Sequence, residues 1–509
     1  MWLRRLSDLP LLVLLMALSV PAMLVPAAHA FAARHHETGR IFLYSALIVV
    51  VLSAMIGIAT AGTSRPGRRG NDLKALVGAY LLLPVIFAVP LHQAVPDTSF
   101  LNAWFEMLSS FTTTGATVYD ASPDRLGPSL HLWRGLVGWL GGFYILLMAV
   151  AVLLPMNLGG MEVLGGPAQA GADTGQVTGR ISRIADPGER VIRFAVALFP
   201  VYAGLTAALW LLMVLLGETG LRGLCLAMAV LSTSGILPQG MAGAGTTGIP
   251  GEMVMALFLV FALTRRFYPG PSFGAAGRPI REDPELRMAA VAVLLVTVVL
   301  FLRHWVVAIE NAEGQEVPVL LHVFWGSGFT ALSFLTTTGI PSAQWGEAQI
   351  WSGHTHGLIL LGLAIMGGGA ATTAGGVKLL RITALFLHGQ REMERLIHPH
   401  SVGGGGPVIR RLRGRGAHLA WLFFMLFALS IAVIAAALTL TGQEFNPALI
   451  LAIASLSNTG QIASLAGQAP VVYADLSEAT KLILGFAMIL GRVEVLALLA
   501  LLTPEQWRK

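Results

Sequence analysis

The chain has 509 residues, 55% of them hydrophobic and 12% charged, with a mean hydropathy of +0.72; a soluble domain carries about 25% charge, so a soluble globular fold is excluded. The net charge of +6 and pI near 9.8 do not indicate a nucleic-acid partner, because the basic residues punctuate alternate loops instead of gathering on one face. A single cysteine, Cys225, excludes a disulfide framework and a multi-cysteine metal site and reads as small apolar filler.

About 20 apolar residues cross the hydrocarbon, and runs of that kind predict spans near residues 9–31, 40–61, 73–94, 130–156, 190–216, 248–265, 287–308, 355–387, 417–441 and 480–503. The expected fold is therefore an all-α integral membrane protein of about ten transmembrane helices. Residues 1–30 also resemble a signal peptide, with Arg4, Arg5 and the small-residue site Ala28-His29-Ala30. The apolar run exceeds the roughly 7–15 residues of a signal core, which favours a retained helix. Arg65, Arg68, Arg69 and Lys74 follow the second span, Arg180, Arg183, Arg190 and Arg193 the fourth, Arg265, Arg266, Arg278, Arg281 and Arg287 the sixth, and Arg391, Arg395, Arg410, Arg411, Arg413 and Arg415 the eighth. The positive-inside bias makes these loops and both termini cytoplasmic. Outward loops such as IENAEGQEV, with Glu310, Glu313 and Glu316, either concentrate cations or are ordinary solvated loops.

Four shorter apolar segments lie between outward helix ends: residues 98–110, 221–230, 320–334 and 446–455. Segments of about 10–14 residues are too short to cross and suggest re-entrant elements. Each is followed by a related phrase: FTTTGAT with Gly115, LSTSGIL with Gly235, LTTTGIP with Gly339 and LSNTGQI with Gly460, the glycines recurring 104 to 121 residues apart. That is the signature of one module repeated four times. A similar phrase, Thr439-Leu440-Thr441-Gly442, ends a span and lacks this context.

Irregular backbone at membrane depth is tolerated only within protein or along a watery cavity. Carbonyls of such loops can replace the hydration shell of a cation, and glycine both reaches φ > 0 and leaves the path open. The hydroxyls of Thr112, Thr113, Thr114 and their counterparts serve either as extra ligands or as anchors behind the loop. Within the run 355–387, the stretch MGGGAATTAGG does not hold a straight helix, since each glycine costs up to about 1 kcal/mol relative to alanine; close helix packing through small residues is the other use of such a composition. Lys378, Arg381, Arg492 and Glu494 lie at membrane depth, facing a cavity or the bundle interior, with snorkelling to the interface open for Lys378 and Arg381. The pairs His354/His356 and His398/His400 lack the i, i+4 placement of a metal grip. The GGGG at 403–406 reads as a linker.

Together with LWRGLVGWLGGF at 132–143, LPMNLGGM at 154–161, MGGGAATTAGGVKLLRI at 366–382 and LGRVEVLALLALLTPEQW at 490–507, the four phrases resemble the Trk/Ktr/HKT potassium transporter superfamily, in particular its TrkH-type pore-forming subunit. Ser232-Thr233-Ser234-Gly235-Ile236, without a second glycine, and Phe143-Tyr144, where small residues are usual, depart from the family pattern. The resemblance implies two extra N-terminal helices in 1–70 and four pore modules of pseudo-fourfold M1-P-M2 form in 71–165, 166–266, 267–397 and 398–509. It implies a K+ selectivity filter at Thr114, Gly115, Ser234, Gly235, Thr338, Gly339, Thr459 and Gly460. It further implies a gate loop beneath the third filter, with Gly367, Gly368, Gly369, Gly375, Gly376, Lys378 and Arg492, in which Arg492 contacts the 367–376 segment. K+ is then the transported ion and no cofactor is permanently bound. The implied setting is a bacterial inner membrane, as a homodimer with a cytoplasmic RCK-domain nucleotide-binding subunit. Basic residues between 391 and 415 offer a surface for that subunit or for lipid headgroups. Two other functions are weighed against this one: a proton- or sodium-coupled symporter, for which Glu106 and Glu494 form no evident relay, and an intramembrane serine protease built on Ser232 or Ser234, which lacks a G-x-S nucleophile context.

Overall fold

The computed structural model describes residues 11–60, 69–120, 125–156, 158, 160, 163, 187–238, 247–269, 279–310, 317–346, 355–398, 416–467 and 469–494. Outside them lie Arg4 and Arg5, the loop arginines Arg65, Arg68, Arg180, Arg183, Arg278, Arg410, Arg411, Arg413 and Arg415, and the acidic Glu313 and Glu316. His354, His400, the GGGG linker and the expected last span beyond residue 494 also lie outside the described residues.

The regular structure among the described residues is helical, the form in which an apolar segment satisfies its own backbone polar groups without water. Helices α1 (Leu11–Ala32) and α2 (His36–Thr60) form a hairpin, turned at Arg34 with φ 62. It packs against α3 (Arg69–Ala94), and α1 also packs against α5 (Pro128–Met148). Leu47, Ile48, Met55 and Ile58 of α2 are exposed, as a lipid-facing side requires.

One arrangement then occurs four times: long helix, short helix, loop, second helix. The sets are α3, α4 (Phe100–Phe111) and α5; α6 (Pro187–Leu215), α7 (Gly220–Ser232) and α8 (Gly248–Leu259); α9 (Pro284–Glu310), α10 (Val317–Leu335) and α11 (Thr355–Met366). After α12 (Leu379–Ile397) come α13 (Ala417–Leu440), α14 (Phe445–Leu456) and α15 (Glu478–Val493). Each short helix packs on both of the other helices of its own set. The second helix of each set also packs on the next set's short helix: α5 on α7, α8 on α10, α11 on α14 and, closing a ring, α15 on α4.

Seven described helices are long and apolar enough to cross a membrane. Two expected spans are shorter, each for a local reason. α8 tightens into a 3-10 turn, Val260–Ala262, ahead of Arg265, and α11 stops at Met366, where the glycine run begins. Of the expected span 480–503 the described part is α15, followed by Glu494 with φ 70. The expected run 355–387 is thus two helices, α11 and α12, around a non-helical segment.

The departure at Phe143-Tyr144 has a packing reason. Tyr144 stacks on Phe111 at the end of the first short helix, with centroids 5.5 Å apart, and meets Tyr80 edge-on. Phe87 and Trp133 extend the same cluster. Aromatic pairs of this kind contribute about 0.5–1.5 kcal/mol each beyond their buried area, so bulk at this position braces the first loop from behind.

Candidate ion pathway

Each short helix ends in the same way. The second residue before the glycine, Thr113, Thr233, Thr337 or Asn458, lies in the left-handed region at φ 54, 53, 57 and 54. That turn folds the next amide back onto the helix: Thr114 N donates to Ser109 O at 2.8 Å, Ser234 N to Ala229 O at 3.0 Å, Thr338 N to Ser333 O at 2.9 Å and Thr459 N to Ala454 O at 2.8 Å. Helix-end carbonyls are thereby satisfied without water. A non-glycine residue in this region is strained by about 1–3 kcal/mol and persists only where its surroundings enforce it.

In the first three loops the hydroxyls act as anchors. Thr112, Ser232 and Thr336 donate to Leu108 O, Met228 O and Leu332 O at 2.8, 2.6 and 3.0 Å. The same hydroxyls meet those of Thr114, Ser234 and Thr338 at 2.8, 2.9 and 3.1 Å. Ser232 and Ser234 are therefore occupied with each other and the helix, which gives no support to a nucleophile.

Gly115, Gly235, Gly339 and Gly460 line one cavity of about 80 Å³, together with Thr117, Tyr119, Asp120, Gln461 and Tyr473. Gly115 and Gly235 have φ 75 and 59, a region that side chains disfavour. A Cβ on Gly115 would also collide with the Ser234 carbonyl, and one on Gly235 with the Thr338 carbonyl. Neighbouring loops touch backbone to backbone.

The fourth loop departs from this pattern. Gly460 opens a 3-10 turn, Gly460–Ser464, and donates its N–H to the Thr114 carbonyl at 2.6 Å. Asn458 Nδ2 bridges Thr114 Oγ1 and Met488 O, both at 3.0 Å. Gln461 reaches over the cavity and donates to Gly235 O at 2.7 Å. Tyr473 donates its hydroxyl to Gly460 O at 3.0 Å; burial first, and the Asp120 carboxylate second, push the Tyr473 phenol up, so it keeps that proton. Replacing Tyr473 by Phe is expected to lower stability by about 1 kcal/mol, read as an earlier thermal unfolding midpoint of the purified protein.

Buried carboxylates hold the segments that follow two of the loops. Glu106 accepts from Val118 N at 3.0 Å and pairs with Arg134 at 2.6 Å. Glu252, on α8, accepts from Ala343 N at 2.6 Å and from Trp325 Nε1 and Ser342 Oγ at 2.7 Å, a role its position in the sequence does not disclose.

Beneath the third loop runs the segment 367–378, buried throughout. Gly375 N donates to Thr337 Oγ1 at 2.7 Å, tying it upward to the third loop. Sideways, Gly369 N and Thr372 Oγ1 donate to Ala262 O at 3.0 and 2.9 Å. Ala370 N donates to Glu285 Oε1 at 2.7 Å and Arg265 Nη1 to Ala371 O at 3.2 Å. Lys378, with φ 85, folds back so that Nζ donates to Ala374 O. Arg381 is fully buried, 2.7 Å from Glu494 Oε2 and with its guanidinium 3.5 Å above the Phe423 ring. Neither cation snorkels to the interface.

Arg492 lines a small cavity with Ala371, Thr372, Ala374, Gly375 and Lys378, and Ala149 and Leu153 of the π turn Ala149–Leu153 that continues α5 line it too. Its Nε and Nη2 have no hydrogen-bond partner among the described residues; the Tyr80 hydroxyl stands beside it. The polar bond that ties α15 to this region is therefore made by Glu494, through Arg381. Glu106 and Glu494 each pair with a separate arginine, Arg134 and Arg381.

A ring of helix sets whose loops converge on one cavity, over a buried glycine segment, defines a multi-pass membrane transport protein. A family model described as cation transport protein, TrkH, matches residues 285–506. The Trk system potassium uptake protein TrkI of Halomonas elongata is 30% identical over 433 residues, 83% of this chain and 81% of that protein. The Trk system potassium uptake protein TrkH of Vibrio parahaemolyticus is 28% identical over 97% of this chain and 98% of its own length. The crystal structure of the potassium transporter TrkH from that organism covers 99% of both chains, with a TM-score of 0.78 and 25% identity. This chain belongs to the TrkH family of Trk cation transport proteins. These relatives are named as transporters, not enzymes.

Proposed function

We propose that this chain takes up K+ across a bacterial inner membrane through a pore on the axis of the four loops. The observation that carries this reading is the cavity lined at once by Gly115, Gly235, Gly339 and Gly460. Main-chain carbonyls of Thr114 to Gly115, Ser234 to Gly235, Thr338 to Gly339 and Thr459 to Gly460 form the selectivity filter, standing in for the water K+ loses. The membrane potential drives entry with about 2.3 kcal/mol per charge per 100 mV, so no covalent step is required. The segment 367–378 is the gate, with Gly367, Gly368, Gly369, Gly375 and Gly376 supplying its path, Lys378 its fold and Arg492 the facing wall. The four modules run over 71–165, 166–266, 267–397 and 398–509, behind an N-terminal pair of helices in 1–70. Both termini are cytoplasmic, the protein is a homodimer in membrane lipid, and a cytoplasmic RCK-domain nucleotide-binding subunit moves the gate from below. No cofactor is held permanently.

The test is the reversal potential in liposomes under opposed K+ and Na+ gradients. The wild type is expected to follow the K+ gradient. Gly115→Ser places a side chain in the left-handed region against the Ser234 carbonyl, at about 1–2 kcal/mol, and is expected to lose about tenfold of the discrimination that 1.4 kcal/mol represents. A wild-type reversal potential indifferent to K+, or one that Gly115→Ser does not move, rejects the filter.

A further inference from the structure

Gln461 follows the fourth glycine and spans the mouth of the cavity. Its Nε2 lies 2.7 Å from Gly235 O, 3.1 Å from Gly115 O and 3.4 Å from Ser234 O. Carbonyl oxygens only accept, so these three neighbours fix which end of the amide faces them. The other end, Oε1, is buried and has no hydrogen-bond partner among the described residues. The base of the side chain is held in place: Ser464 Oγ donates to Gln461 O at 2.8 Å, and Tyr473 donates to Gly460 O just before it.

An amide NH2 offers carbonyl oxygens what a dehydrated cation offers, positive charge at contact distance. The terminal torsion of glutamine is broad and roughly two-fold.

We propose that Gln461 is a built-in surrogate cation at the outer end of the pore. Its amide nitrogen occupies the Gly115 and Gly235 carbonyls at rest, and an arriving K+ displaces it from them. This rests on the filter reading above and adds to it the residue that sets apparent affinity. Each entering ion must break the amide contacts, which raises the concentration needed for half-maximal uptake. The returning amide weakens the site enough for the ion to move on, the balance that conduction requires.

The experiment measures Rb+ uptake against external Rb+ concentration in proteoliposomes carrying the full chain, for wild type, Gln461→Ala, Gln461→Leu and Gly115→Ser, with reversal potentials recorded in parallel. Gln461→Ala removes the amide, and Gln461→Leu removes it while keeping most of its volume. Both are expected to lower the KM for Rb+ about three- to tenfold, the worth of one net hydrogen bond or somewhat more, with K+ over Na+ discrimination retained. If Gln461→Ala does not assemble, Gln461→Leu decides the matter. A KM that is unchanged or higher, while Gly115→Ser still shifts the reversal potential, overturns the surrogate role and leaves the filter standing. Loss of discrimination in the Gln461 variants also overturns it, because the side chain is then a prop for the loops. A reversal potential that Gly115→Ser leaves unmoved removes the filter and this inference with it.

Discussion

Excising residues 368–374 is expected to raise K+ or Rb+ flux about ten- to a thousandfold, the range set by a minor open state populated at about 0.1–10%. The segment is buried and is held by hydrogen bonds to Thr337, Ala262, Glu285 and Arg265. At about 1 kcal/mol net each, these bonds suffice to keep the closed state of the proposed gate dominant yet breakable. The excision is structurally mild, because the ends it joins, Gly367 and Gly375, are already neighbours: a Cβ on Gly367 would come 3.0 Å from Gly375 C. α11 and α12 therefore need not be dragged together. Flux unchanged in a well-folded deletion would show that the segment does not obstruct the path.

The second large effect concerns stability. Arg381→Leu leaves the Glu494 carboxylate buried without its partner, and breaking one side of such a pair costs about 3–5 kcal/mol. It also removes the donor to Val377 O at 3.0 Å and the stacking on Phe423. Thermal unfolding in detergent should show Arg381→Leu and Glu494→Leu each strongly destabilised. The double variant Arg381→Leu/Glu494→Leu should recover most of the loss, since no orphan charge remains. A double variant as unstable as the sum of the two singles would mean that the arginine acts through packing alone.

Legibility in the sequence divides along a physical line. Periodic apolar runs and their lengths marked the short helices, and the phrases after them marked Gly115, Gly235, Gly339 and Gly460, because these signals are local. The break at 367–378 was equally visible, since glycine acts on the backbone where it stands. Burial is legible too: Lys378, Arg381, Arg492 and Glu494, read from the sequence as charges facing a cavity or the bundle interior, are all buried. Azimuth is not. Which buried charge faces which depends on how helices rotate in the ring, so Arg381 with Glu494, 113 positions apart, and Glu285 with Ala370 N had no local trace. Gln461 leaves no local trace for a related reason. It sits in the fourth phrase, LSNTGQI, but only the turn that starts at Gly460 carries its side chain over loops from other sets. Glu252 shows the same limit, an acid in an apolar helix whose partners, Trp325, Ser342 and Ala343, all belong to the following set.

The ring described above is joined unevenly. Three of its seams are crossed by the polypeptide itself, as one set leads to the next in chain order. Among the described residues, the seam between the last set and the first is closed by α15 lying on α4 and α3 and by contacts such as Asn458 to Thr114. If the proposed gate is worked from α15, a displacement of that helix would reach the fourth loop along the chain and the first loop through non-covalent contacts alone.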